Sequence, residues 1–168
     1  RSDTLRAVLS LPAEPSEGDI LFNEVLFNPV TGGSDFIELY NTSPSSILLR
    51  GLFLANPSKS PIPVRITLDK ILAPGDYLVL TPDPDQIIAQ YPSGDSSRIF
   101  QADLPSIDDE GGSLVLSYPR AGRQERIDSF VFSKDWHHPL IKDENGVSLE
   151  KIRPDLSSGD PDHWQSAS

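Results

Sequence analysis

The chain has no cysteine and no methionine in 168 residues. The first absence excludes disulfides, thiolate metal sites and a cysteine nucleophile, and it fits a compartment where free thiols are a liability. The second, with Arg1 at the start, is expected of a segment excised from a longer chain, whose signal peptide or anchor would lie outside it. No run approaches the ~20 apolar residues that span a bilayer as a helix, so direct membrane insertion is not expected. Cations are scarce: 14 Lys and Arg stand against 25 Asp and Glu, for a net charge of −11. Nucleic-acid binding rests on clustered cations that release counterions from phosphates, so DNA and RNA are not expected partners. The same sign disfavours adsorption to anionic lipid.

What is present is punctuation. Sixteen prolines and eleven glycines separate short apolar runs, the pattern of an all-β chain with many turns, long enough for one domain with a real core. Asp35–Asn41 is the organising stretch: Ile37 and Leu39 alternate with Phe36, Glu38 and Tyr40, and turn formers bound it on both sides. Ile20–Phe27 reads as its partner strand, and the pair is placed at the centre of a β-sandwich. Further strands are read at residues 47–49, 52–55, 64–68, 77–80, 99–100, 113–118, 125–132 and 147–152. The run from Pro119 to Arg123 is read as a longer hairpin loop. One short helix is expected over Pro84–Tyr91, capped by Asp83, with Ile87, Ile88 and Tyr91 on one stripe. Ile37, Leu39, Leu78, Leu80, Leu114, Leu116, Val147 and Leu149 are the expected core. Residues 1–17 form an extension, with a short strand or the end of a preceding domain around Leu5, Val8, Leu9 and Leu11 and then a proline- and acid-rich linker; the domain proper runs from 18 to 168. Asp155–Ser168 reads as a polar tail carrying Trp164.

Several groups of residues offer chemistry. Asp108, Asp109 and Glu110, with Asp103 nearby, present carboxylates to calcium, although EF-hand spacing is absent and acidic turns are usually solvated. Trp136, His137 and His138 form the candidate ligand or partner face; adjacent histidines on an extended backbone point apart, so one metal is hard for both to share. Glu24 and Glu38 sit in strands as a carboxylate pair, which a glycosidase would need in a cleft with one pKa raised. Trp136, Tyr91, Tyr118 and Trp164 are candidates for a sugar-stacking platform. Asn41-Thr42-Ser43 matches a glycosylation acceptor, but Asn41 is better read as a loop cap through Asx-type bonding. Arg120, Arg123 and Arg126 are the densest cationic cluster. No nucleophile–base constellation appears, so no catalytic residue and no cofactor are expected.

The order of motifs resembles the lamin-tail domain. The pieces are Phe22-Asn23-Glu24-Val25, Asp35–Asn41, Leu72–Leu80, Asp109–Leu116, Ile127-Asp128-Ser129 and Gly146–Ile152, closed by Asp162-His163-Trp164. The resemblance implies an immunoglobulin-like β-sandwich without catalytic residues. The connection from Asn28 to Asp35 and the Trp136–Leu140 stretch look most like versions from Bacteroidetes-type bacteria. In that setting the module sits in larger exported proteins, outside the cell or on the outer-membrane surface. The expected function is a non-catalytic interaction or spacer module that docks protein partners or other domains of the same chain. A carbohydrate-binding module for surface glycans is the alternative.

Overall fold

The computed structural model describes residues 11–167. The strand expected around Leu5, Val8 and Leu9 lies outside them; Leu11, at their start, is exposed. The described chain runs β1 (Ile20–Leu26), β2 (Phe36–Asn41), β3 (Ile47–Leu48), β4 (Phe53–Ala55), β5 (Val64–Arg65), β6 (Ile71–Leu72), β7 (Tyr77–Thr81), α1 (Pro84–Gln90), β8 (Ile99–Gln101), β9 (Gly111–Arg120), β10 (Arg123–Ser133), β11 (Leu149–Lys151) and β12 (Trp164–Ser166). One sheet has the order β12-β11-β1-β2-β7-β8, the other β10-β9-β4-β5, and β3 and β6 form a separate pair. The result is the expected all-β, immunoglobulin-like sandwich with one short helix.

The period-2 pattern of β2 explains the layering. Ile37 and Leu39 pair with Leu80 and Leu78 of β7 and with Val25 and Phe22 of β1, and all six are buried between the sheets. Leu54, Leu114, Leu116, Phe130 and Phe132 meet them from the four-stranded sheet. Each such burial contributes about 2 kcal/mol. Phe36, Glu38 and Tyr40 turn to the outer face. Of the expected core, Val147 departs: it is half-buried on the rim of an outer-face groove, because β11 starts only at Leu149.

Helix α1 forms as read, with Asp83 Oδ1 accepting from Gln86 N at 3.2 Å. It carries the crossover that lets β8 run parallel to β7, a connection parallel strands require. Ile87 docks on Leu26 and Phe36, with Tyr91 one turn on. Ile88, expected on the same stripe, is rotated a further 100° or so round the helix and stays 37% exposed.

Three connections differ from expectation. The β9–β10 hairpin has no long loop: Ala121 (φ 50°) and Gly122 (φ 78°) make a two-residue turn, and Pro119 pairs opposite Gln124. Two positive-φ residues match the strands' right-handed twist, and Pro119 lies past the Val115–Ser117 segment that pairs with β4, so its missing N–H breaks no ladder. The polar tail is structural: β12 adds to β11, and Trp164, 6% exposed, stacks on Phe130 at 3.9 Å between centroids. The stretch before Gly18 is held to the sandwich, Ala13 N bonding Ser46 O at 2.8 Å and Gly18 N bonding Ile127 O at 2.9 Å.

Candidate functional site

The outer face of the six-stranded sheet carries the most unusual chemistry. A bulge in β1 sets Phe22 opposite Leu39 and Glu24 opposite Glu38, leaving Asn23 as the extra residue. A bulge locally disrupts the alternation of faces. Asn23 joins Glu24 on the outer side, where its Nδ2 donates to Glu38 Oε1 at 2.8 Å. Glu24 also faces Glu150 of β11, and Glu38 faces Val79 of β7. The sheet therefore carries a row of three carboxylates, Glu150, Glu24 and Glu38, although like charges placed directly opposite are destabilising.

Helix α1 and the two segments beside it turn this row into one wall of a groove. Phe36, Val79, Ile87, Tyr91 and Ile99 form its apolar side, and Gly146, Val147, Ser148 and Ala167 line it as well. The space is ≈ 390 Å³, and a second hollow of ≈ 470 Å³ shares Glu24, Glu38 and Arg98 with it and includes Asn23, Glu150 and Tyr77. Tyr91 fixes the edge by donating its hydroxyl to Gly146 O at 2.6 Å. Gly146 has φ +78°, and a Cβ there would lie 2.8 Å from Val30 Cγ1, so glycine is required for that carbonyl to meet Tyr91.

Burial pushes the Glu24 carboxyl up from 4.5 to about 7; the Ser148 hydroxyl, donating to Oε1, opposes the shift, while Glu38 and Glu150 add to it. Burial likewise raises Glu38, with the Asn23 amide opposing, Glu150 reinforcing and Arg98 weakly opposing. The nearest cations are engaged elsewhere. Arg98 reaches Asp95 at 3.1 Å and Asp76 at 3.5 Å, and Lys151 donates to Leu156 O at 2.6 Å. Among the described residues, none of the three glutamates has an ion-pair partner. The arrangement can seat a cation beside apolar surface, or exchange a proton near neutral pH.

The residues singled out from sequence are dispersed. His137 is 5% exposed, stacks on Phe27 at 5.7 Å and shares a 3.0 Å hydrogen bond between Nδ1 and Ser166 Oγ. Burial lowers its pKa, with Glu144 opposing. His138 is exposed, its backbone N–H donating to the same Ser166 hydroxyl at 2.9 Å. Trp136 packs edge-on against Phe130 at 5.8 Å. Trp164 is core, Tyr118 and Trp136 are partly buried against that core, and Tyr91 belongs to the groove, so the four aromatics make no shared exposed platform. In the acidic turn, Asp108 pairs with Lys59 at 2.6 Å, Glu110 with Lys134 at 2.5 Å, and Asp109 is exposed. Arg120 is shared by Glu14 and Glu125, and Arg126 pairs with Glu17, so the cationic cluster is largely neutralised. Asn41 caps its loop as read, donating from Nδ2 to Ser45 O and Leu72 O while Oδ1 accepts from Ser43 N.

Sequence reading paired Glu24 with Glu38 but missed Glu150, Ser148 and Arg98. The available signal was charge at outward positions of otherwise apolar strands; the β1 bulge and the register of β11 were not visible. A family model described as Lamin Tail Domain matches residues 13–134, well over half of the chain. Glu24, Glu38 and α1 lie inside the matched span, and Glu150 lies beyond it. No curated protein matches the chain.

Proposed function

The chain belongs to the lamin tail domain family, a protein-interaction module in general, and on that premise we propose that it is a non-catalytic docking module of a larger exported bacterial protein. Its place is outside the cell or at the cell surface, and its partner is another protein or a neighbouring domain. The location is supported by the absent cysteines and by the Bacteroidetes-like character of Asn28–Asp35 and Trp136–Leu140. The observation that carries docking is the outer-sheet groove, an apolar hollow beside three carboxylates with no ion-pair partner among the described residues. Apolar recesses with a few convergent polar groups are where proteins take ligands. Nucleic acid is not a partner in this reading, since Arg120 and Arg126 already serve Glu14, Glu125 and Glu17.

Selection of displayed random heptapeptides on the wild-type domain tests it, with each enriched peptide re-measured on Val147→Trp, which fills the hollow. Docking predicts enriched sequences whose binding falls at least tenfold on that variant. Enrichment indifferent to Val147→Trp, and to Ala167→Trp as a second filling variant, contradicts it.

A second reading has one observation in its favour. Glu24 and Glu38 oppose each other beside a cleft, with Glu24 at about 7, as a general acid and its partner would require. Hydrolysis of aryl glycosides, abolished by Glu24→Gln, would put that reading in place of docking.

A further inference from the structure

Resting on the docking reading, we propose that the groove selects a protein segment carrying one lysine or arginine beside an apolar side chain, the basic head seated against Glu24, Glu38 and Glu150 and the apolar group lying on Tyr91 and Val147. Charge complementarity identifies the occupant. The three carboxylates stand in one cross-strand row, and the cations nearest them, Arg98 and Lys151, are bound to Asp95, Asp76 and Leu156 O. A second, independent feature points the same way. Asn23 is 4% exposed, gives its Nδ2 to Glu38, and leaves its Oδ1 buried with no hydrogen-bond partner. Asn23 lines the hollow it shares with Glu24, Glu38 and Glu150, so the polar side of the site is short of donors as well as of cations. An ammonium or guanidinium group supplies several donors and no acceptor.

The shape argues for a side chain and against a bare ion. Among the described residues no three acidic or histidine groups are spaced to hold one metal ion. The carboxylate row adjoins apolar surface, which suits a long aliphatic stem that lies along it while its charged head reaches the acids.

The proposal carries a pH signature. Glu24 is faced by Glu38 from β2, by Glu150 and Ser148 from β11 and the loop before it, by Tyr91 at the C-cap of α1, and by Asp95 and Arg98 from the segment before β8. With Glu24 at about 7 in the free domain, a bound cation must displace its proton. Affinity therefore falls about tenfold between pH 8 and pH 6 and is flat above pH 8.

The test is an NMR titration of the ¹⁵N-labelled chain with the acetylated, amidated tripeptides Leu-Lys-Leu, Leu-Arg-Leu and Leu-Gln-Leu. The basic peptides should shift the amides of Glu24, Glu38, Tyr91 and Ser148 and bind at least tenfold more tightly than the glutamine peptide. Glu24→Gln should remove the pH dependence, and Glu24→Gln/Glu38→Gln should erase the preference for charge. Equal binding of the glutamine peptide at the same amides overturns charge selection and leaves docking intact. Failure of every tripeptide to bind at millimolar concentration overturns charge selection too, while docking itself stands or falls on Val147→Trp. Binding of neutral oligosaccharides at those amides in preference to basic peptides overturns it in favour of a glycan.

Discussion

Asp128 and Glu24 are two half-buried carboxylates on one sandwich, and their surroundings differ. Asp128 accepts from Phe22 N at 2.8 Å, Ser129 N at 2.8 Å and Ser158 Oγ at 2.5 Å, with Lys151 adding a favourable field. It ties β10, β1 and the C-terminal segment together. Glu24 has one hydroxyl donor, from Ser148, and two like charges beside it. Burial raises both groups, but at Asp128 three donors and a cation oppose the shift, while at Glu24 one donor opposes it and two carboxylates add to it. A buried charge that the protein satisfies is a structural tie; one it leaves to like-charged neighbours has its counterpart elsewhere.

The largest expected effect lies on the structural side. Trp164→Ala should cost roughly 3–5 kcal/mol in chemical denaturation, because it removes the ring stacked on Phe130 and leaves a cavity. Loss no greater than that of a surface substitution would show that β12 is dispensable. Asp128→Ala comes next, at about 2–4 kcal/mol, since it orphans the Phe22 amide and the Ser158 hydroxyl.

On the other side of the comparison the sign reverses. The folded-state pKa of Glu24 lies above its unfolded value. The native state therefore holds a proton that the unfolded chain releases between about pH 4.5 and 7, and stability declines as pH rises through that window. Glu24→Gln, which keeps an acceptor for Ser148, should stabilise the domain by about 1–3 kcal/mol at pH 9 and by little at pH 5. A destabilised variant at pH 9 would place Glu24 in the same class as Asp128. Smaller still is Arg126→Ala, whose exposed pair with Glu17 should be worth less than about 1 kcal/mol in a thermal melt. Millimolar calcium should leave the melting temperature unchanged, because Asp108 and Glu110 are already held by Lys59 and Lys134.

How far the sequence reveals this molecule follows the range of the forces involved. Ile37 and Leu39 declare their face by local alternation, and Asp83-Pro84 declares a helix start by local capping. Asn41 declares its cap in the same way. The Ala121-Gly122 turn was hidden because alanine rarely takes a positive φ, and Pro119 looked like a loop residue. Trp164 was hidden in a stretch whose other residues are polar; its burial depends on Phe130, which no local pattern connects to it. The groove was the least legible part. Glu24 and Glu38 are separated by a hairpin and visible as a pair, but Glu150 joins them only through the β1–β11 register, and the walls come from α1 and the Gly146 turn. Val147 was misassigned for the same reason, since counting alternation from Leu149 ignores where the strand begins.

The contrast between the two carboxylates can be read directly by following their side-chain carboxyl carbons by NMR from pH 3 to pH 9. Glu24 should titrate near 7 in the free domain and drop by more than one unit when the Leu-Lys-Leu peptide is bound, while Asp128 should be indifferent to the peptide. A Glu24 carboxyl titrating at its ordinary value of 4.5, or one unmoved by the bound peptide, would contradict it.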